Sequence, residues 1–111
     1  MSKDEFSKLV DSLTQVRHWL YSNSAQQQVL NEPQAVRDQF VSFRREINFL
    51  TTQLQSAELE SISDKLDELG PQLTAGIDSI NASIASVAKI SSILNTISSV
   101  VGLIARVVAL V

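Results

Sequence analysis

Residues 66–77 read LDELGPQLTAGI, and the glycine–proline pair inside this stretch decides how many long helices the chain forms. A glycine just past a helix, followed at once by proline, is a common way to end one helix and begin another. We therefore expect a hairpin turn at Gly70 and Pro71. It would join a long helix over residues 32–69 to a second long helix over residues 72–111.

The apolar residues around this pair indicate an alternative. Their spacing of three and four positions continues through the pair, as Leu66, Leu69, Leu73, Ile77, Ile80 and Ile84. Asp67 and Glu68 would also lie at the C-terminus of the first long helix, where the helix dipole favours cations. A kinked continuous helix is therefore the alternative to the hairpin.

The front of the chain predicts a shorter helix over residues 3–22. Its apolar residues recur every three or four positions and so share one face, which comprises Phe6, Leu9, Leu13, Val16 and Leu20. Ser2 and Glu5 have the spacing of a capping box at the start of this helix. Asn31 is a good cap for the long helix that follows, with Pro33 tolerated in its first turn.

The composition favours helices over strands. Apolar residues make up 44% of the chain and aromatic residues only 5%, with three glycines and two prolines. So few turn-forming residues are hard to reconcile with many short strands. We therefore expect an all-α fold in a single domain, residues 1–111. Its architecture would be an elongated antiparallel bundle or coiled coil of one short and two long helices.

Charge and cysteine content argue against several classes of protein. The net charge of −3 argues against a nucleic-acid-binding protein, which normally presents a basic surface to phosphates. The absence of cysteine leaves no disulfide and no thiolate metal site. The polar and acidic N-terminus does not resemble a signal peptide, so we expect a cytoplasmic or membrane-associated protein.

The C-terminal segment, residues 90–111, belongs to the least charged part of the chain. After Pro71 only Asp78, Lys89 and Arg106 carry charge. The surface of this helix divides into three lengthwise stripes of residues, of which two are apolar. We expect a membrane or oligomer interface on the two apolar stripes, formed by Ile90, Ile93, Leu94, Ile97, Val100, Val101, Ile104 and Val108. The third stripe is small and would let another backbone approach closely, through Ser92, Asn95, Ser99 and Gly102.

Two functions would explain this segment. In the first, a non-enzymatic protein self-associates and engages a membrane through its C-terminal helix, as a membrane-active or membrane-anchored component, for example of a helical pore. Residues 93–111 would span about 28 Å, close to the roughly 30 Å hydrocarbon core of a bilayer. Arg106 would then reach the interface with its long side chain. In the second, the same residues form the buried oligomer core of a soluble coiled-coil scaffold or adaptor.

Both functions predict a homo-oligomer, with a lipid bilayer or a helical protein as the further partner. The reason is that residues 90–111 offer about twice the apolar surface that one helix packing covers. A third interpretation is an aggregation-prone fragment, since β-branched runs of low charge are typical of misassembly.

The residue pattern predicts no catalytic, cofactor-binding or metal-binding residues. His18 is the only histidine, and general acid–base or metal chemistry would need partners for it. Residues 37–49 (RDQFVSFRREINF) mix arginine with phenylalanine as base stacking would require, but the phenylalanines fall on or beside the apolar face. The five carboxylates of residues 58–68 lack the glycine-containing loop of a calcium site, so we expect a solvated acidic face.

Overall fold

The computed structural model describes residues 2–86 and 89–109, and helices account for nearly all of them. Within these ranges there is no β-strand, so the predicted all-α class is confirmed. The helices are α1 (Lys3–Leu20), α2 (Asn23–Leu30), α3 (Gln34–Ser56), α4 (Leu59–Ala85) and α5 (Ile90–Val108). The end of the predicted C-terminal segment, residues 110–111, lies outside the described residues.

Serine caps begin the first two helices. Ser2 accepts a hydrogen bond from the Glu5 backbone N–H at 3.1 Å, which confirms Ser2 as the N-cap. The Glu5 carboxylate accepts a hydrogen bond from the Ser2 hydroxyl, also at 3.1 Å, and not from the Ser2 backbone N–H as in a capping box. Ser22 accepts a hydrogen bond from the Ala25 backbone N–H at 3.2 Å and begins α2. α1 therefore ends at Leu20, two residues before the predicted end. α2 is an additional helix beyond the three expected.

The predicted continuous helix over residues 32–69 is wrong, because the chain breaks at Ala57 and Glu58. Both residues have extended backbone conformations between α3 and α4. The apolar spacing slips by one position near this point, and one residue rotates a helical face by about 100°. After the break, α4 buries Ile62 fully in the core.

The predicted hairpin at Gly70 and Pro71 is also wrong, since α4 runs through both residues. The apolar face is buried on both sides of the pair, at Leu66, Leu69, Leu73, Ile77 and Ile80. Pro71 is exposed, and Gly70 lacks the Cβ that normally keeps a residue before proline out of helical geometry. The burial gained along both halves of α4 outweighs the one backbone hydrogen bond that proline removes.

The second predicted long helix, residues 72–111, is divided as well. α4 ends at Ala85 and α5 begins at Ile90, with a short connection between them. α4 and α5 pack against each other. Gly76 of α4 accordingly lies against Val100 of α5.

Four helices occupy the corners of an elongated bundle that measures 43 × 24 × 20 Å. α1 packs against α3 and α4, and α5 also packs against α3 and α4. α1 and α5 are therefore diagonally opposite, as are α3 and α4. The short helix α2 covers one end through contacts with α1, α3 and α5. A four-helix bundle with a short additional helix thus replaces the predicted bundle of one short and two long helices.

Candidate functional site on the C-terminal helix

α5 carries the predicted interface, and its apolar residues lie inside the bundle. Seven of the eight predicted residues are buried: Ile90, Ile93, Leu94, Ile97, Val100, Ile104 and Val108. Val101, the eighth, is half-buried against the same core. Val107 is buried too, although the predicted interface omits it. It continues the spacing of Val100 and Ile104, so the periodicity could have identified it.

A single chain covers the apolar face of α5, which corrects the premise that a second copy or lipid must do so. α3 and α4 flank α5, and α2 also contacts it. Among the described residues, every exposed large apolar side chain lies outside α5. The premise fails because α3 and α4 are separate helices that both pack against α5, which gives α5 two long neighbours rather than one. The homo-oligomer itself stays a prediction.

The predicted close-packing stripe faces outward. Its members Ser92, Asn95, Ser99 and Gly102 are all exposed. A Cβ added at Gly102 would meet no atom within 4 Å. The close approach lies on the other side of the helix, where a Cβ at Gly76 would be only 2.7 Å from Val100 Cγ2. A glycine in a helix interior costs about 1 kcal/mol relative to alanine. The contact with Val100 accounts for the glycine at residue 76, but no contact accounts for the one at residue 102.

The outer face of α5 is uncharged along most of its length. No charged residue occurs between Ile90 and Ala105. Arg106 is exposed in the last turn, where the helix dipole favours a cation. α1, α3 and α4 each carry several charged side chains on their exposed faces. Packing in the bundle explains the apolar face of α5, but it does not explain the lack of charge on the face that meets solvent.

The length and composition of α5 also suit a bilayer. It has 19 residues and a mean hydropathy of 1.5 over its most apolar window, and it is the one described helix that meets both criteria for a membrane span. At 1.5 Å per residue it is about 28 Å long, close to the roughly 30 Å hydrocarbon core. A core helix of a bundle meets the same criteria. The uncharged outer face of α5 therefore distinguishes a membrane helix from a core helix better than its length does.

The predicted turn residues are not part of this site. Gly70 and Pro71 line a half-open groove on the face formed by α1 and α4, together with Glu5 and Thr74. α5 lies at a different corner of the bundle, diagonally opposite α1. The structure therefore brings the predicted interface residues together on α5 and leaves the glycine–proline pair apart from them.

The remaining polar candidates are solvated. His18 is exposed on α1, and so are the five carboxylates at Glu58, Glu60, Asp64, Asp67 and Glu68. In the described part of the chain, no group of three or more histidine, cysteine, aspartate or glutamate residues could hold a metal ion.

Phe49 is the aromatic residue that the sequence pattern misplaces. It is expected on or beside the apolar face, yet its side chain is 61% exposed, whereas Phe40 is buried. Phe49 directly precedes the buried Leu50, so it is rotated by about 100° from that residue. It lines a half-open cleft with Ala57 and Val108, where α3 and α5 end.

Comparison with protein-family models, with curated proteins and with solved structures gives no match for this chain. The function is therefore inferred from α5 and the surfaces around it. Two features need explanation, namely the burial of one face of α5 and the lack of charge on the other.

Proposed function

We propose that this chain is a non-enzymatic helical protein that self-associates and engages a membrane through α5. The observation that carries the proposal is the uncharged outer face of α5 between Ile90 and Ala105. A helix face that meets only water usually carries charged residues. Lipid accepts small uncharged residues, and in a membrane these residues let neighbouring helices approach closely.

In water the bundle keeps the apolar face of α5 covered by α3 and α4. Burying a valine, leucine or isoleucine side chain stabilises the fold by about 1.5–3 kcal/mol. α5 has eight such buried residues. It therefore leaves the bundle only where another apolar medium receives the same side chains, and the hydrocarbon core of a bilayer is such a medium.

At a bilayer, α5 exchanges its contacts with α3 and α4 for contacts with acyl chains. Its single charge does not prevent this, because Arg106 lies in the last turn. A long arginine side chain near a helix end can place its guanidinium at the interface while its methylene groups stay in the apolar region.

Self-association follows from the departure of α5. The core residues of α3 and α4, such as Leu54 and Leu73, are fully buried while α5 is in place. Once uncovered, these faces form an apolar patch that needs a new partner. A second copy offers an identical patch, and the outer stripe around Gly102 allows one α5 to approach another closely.

A soluble scaffold or adaptor is the second candidate, and one observation favours it. The apolar face of α5 is covered within a single chain, so the fold needs no lipid in water. In this function the exposed stripe around Gly102 would pack against a second copy, and α5 would then lie in the oligomer core.

A disulfide between α4 and α5 tests the membrane proposal. A Cβ at residue 76 would be 2.7 Å from Val100 Cγ2. With one further C–C bond of roughly 1.5 Å, the two Cβ atoms are at most about 4.2 Å apart, within reach of a disulfide. The chain has no cysteine of its own, so the Gly76→Cys, Val100→Cys variant can form only this bridge within one chain.

The oxidised and reduced forms of this variant are mixed with vesicles of phosphatidylcholine and phosphatidylserine and washed with high salt. We expect the reduced form to stay on the vesicles and the oxidised form to wash off, because the bridge holds α5 against α4. Since both forms have the same sequence, each controls for the other. Equal retention of the two forms, or no retention of the wild type, would contradict the proposal. A discrete oligomer in light scattering that ignores the vesicles would favour the scaffold.

A further inference from the structure

The outer face of α3 presents apolar and charged side chains together. The side chain of Val41 is 41% exposed and that of Phe49 is 61% exposed. Asp38 and Arg45 are exposed as well, and their spacing of seven residues places them two turns apart and within about 20° of each other around the helix. This outer face comprises Asp38, Val41, Ser42, Arg45 and Phe49, all of them exposed.

The two charges of this face have no opposite charge within the chain. Neither Asp38 nor Arg45 has an ion-pair partner among the described residues. Asp38 accepts a hydrogen bond from the side-chain amide of Gln34 at 2.7 Å, and that donor is neutral. Each of the two charges would therefore gain from an opposite charge supplied by another molecule.

The remaining charged residues of α3 point to the sides of this face. Arg44 and Glu46 adjoin Arg45 in the sequence, so each is rotated from it by about 100°, in opposite directions. The guanidinium carbon of Arg44 accordingly lies 5.0 Å from the ring centroid of Tyr21. The face itself carries one negative and one positive charge, so its charge favours neither a cationic nor an anionic surface.

The order of residues along this face is complementary to itself. Asp38 lies about 3.5 residues before the midpoint between Val41 and Ser42, and Arg45 lies as far after it, about 5 Å in each direction. A second copy of α3 that runs antiparallel about this midpoint would place its Arg45 opposite Asp38. Two-fold symmetry makes the same contact twice.

The apolar residues of the face would be covered by the same arrangement. Val41 lies beside the midpoint, so it would meet Val41 of the second copy. Phe49 lies about 7.5 residues beyond the midpoint and would meet residues 33–34 of the second copy, where α3 begins. Both exposed apolar side chains of α3 would therefore leave water.

Other pairings of two α3 helices oppose like charges. A parallel pair in register would place Asp38 against Asp38 and Arg45 against Arg45. An antiparallel pair centred on Arg45 would bring the two arginines together. Like charges that face each other destabilise a helix pair, so the pattern favours the antiparallel arrangement centred between Val41 and Ser42.

We propose that the outer face of α3 pairs with the same face of a second copy, in a two-fold symmetric dimer with antiparallel α3 helices. One helix face per copy makes a small interface, below about 1,200 Å², and such interfaces are typical of transient complexes. The dimer should therefore dissociate on dilution. This inference goes beyond the proposed function, because α5 stays in the bundle and no lipid takes part.

Single cysteines test the geometry of this dimer. The chain has no cysteine of its own, so Val41→Cys and Phe49→Cys each add one thiol. In the proposed dimer the two copies of residue 41 lie side by side, whereas the two copies of residue 49 are about 22 Å apart along the helices. We expect mild oxidation to crosslink Val41→Cys far more than Phe49→Cys. Chance collisions would favour residue 49, because it is the more exposed position.

An exchange of charges tests the pairing itself. Asp38→Arg and Arg45→Asp each place like charges opposite each other twice, so each variant is expected to dimerise about tenfold more weakly than the wild type. An equimolar mixture of the two variants pairs every charge with its opposite again and should recover the dimer. Sedimentation velocity over a dilution series, without vesicles, measures all three, and circular dichroism checks that the fold is unchanged.

The controls make the same changes of charge elsewhere. Lys8→Asp on α1 and Asp64→Arg on α4 alter exposed residues away from α3 and should leave dimerisation unchanged. Any of three results would overturn the inference: a wild type that stays monomeric at the highest concentration, a mixture of the two α3 variants that recovers no dimer, or crosslinking at residue 49 as strong as at residue 41. A dimer that is lost in Gly102→Leu but kept in Asp38→Arg would place the contact on α5 instead.

Discussion

Gly76 of α4 lies so close to α5 that a Cβ at this position would be 2.7 Å from Val100 Cγ2. Real Cβ contacts are longer than this, so the two helices keep their separation only because residue 76 has no side chain. Gly102 of α5 is the opposite case, since a Cβ there would meet nothing within 4 Å. One glycine is required by packing, and the other lies on an open surface.

Alanine substitutions at the two glycines should therefore change stability in opposite directions. Gly76→Ala forces a shift against Val100 that costs about 2–3 kcal/mol, and the gain in helix propensity of about 1 kcal/mol offsets only part of it. Gly102→Ala gains helix propensity alone and should stabilise the protein by about 1 kcal/mol. Urea unfolding followed by circular dichroism measures both changes. A stabilised Gly76→Ala variant would argue against the close contact with Val100.

Gly102→Leu distinguishes the two candidate functions. The leucine side chain would point into open space, so the bundle itself should be unaffected. If α5 engages lipid, the added apolar side chain should increase the salt-resistant retention on vesicles several-fold. If the outer face of α5 is an oligomer contact, the same side chain blocks close approach, and light scattering should show a smaller species. Ser79→Leu on the exposed face of α4 is the matched control and should change neither measurement.

Thr51→Val should stabilise the protein. The Thr51 hydroxyl is fully buried in α3 and has no hydrogen-bond partner among the described residues. Valine replaces it with a methyl group of similar size and removes a desolvation cost of about 1–2 kcal/mol. Thermal unfolding should show a higher midpoint.

The adjacent Thr52 supplies the control for this substitution. Its side chain is exposed, and its hydroxyl donates a hydrogen bond to the Asn48 carbonyl at 2.9 Å. Thr52→Val should change the free energy of unfolding by less than about 0.5 kcal/mol. A Thr51→Val variant less stable than the wild type would show that the buried hydroxyl contributes a favourable interaction.

Pro71→Ala should also stabilise the protein, by about 1–3 kcal/mol. Residue 71 is exposed in the middle of α4, and alanine restores a backbone N–H and removes the strain of a proline ring inside a helix. Gln72→Ala at the next exposed position should have little effect, as measured in the same urea series. Destabilisation by Pro71→Ala would instead support a chain reversal, because proline favours the first turn of a new helix.

The candidate site was predictable in its residues but not in its surroundings. Spacing along the chain identifies the apolar face of α5 and its small outer stripe, since both repeat with the period of a helix. Spacing cannot say which helices lie beside α5, so the expected surplus of apolar surface disappears once α3 and α4 flank it. The exposure of Phe49 was not predicted, because successive residues of a helix point about 100° apart, which is enough to separate an exposed position from the buried Leu50.

The sequence by itself determined the all-helical class, the cap at Ser2 and most of the apolar residues that α1, α4 and α5 bury. These properties depend on hydrogen bonds and side-chain spacing within one or two helical turns, so neighbouring residues in the sequence are enough to predict them. The tertiary structure decided where the helices break and how they pack. A glycine–proline pair removes one backbone hydrogen bond wherever it occurs, but whether the helix continues depends on what the flanking residues contact. At Gly70 and Pro71 the helix continues, because the apolar residues on both sides are buried in the same core.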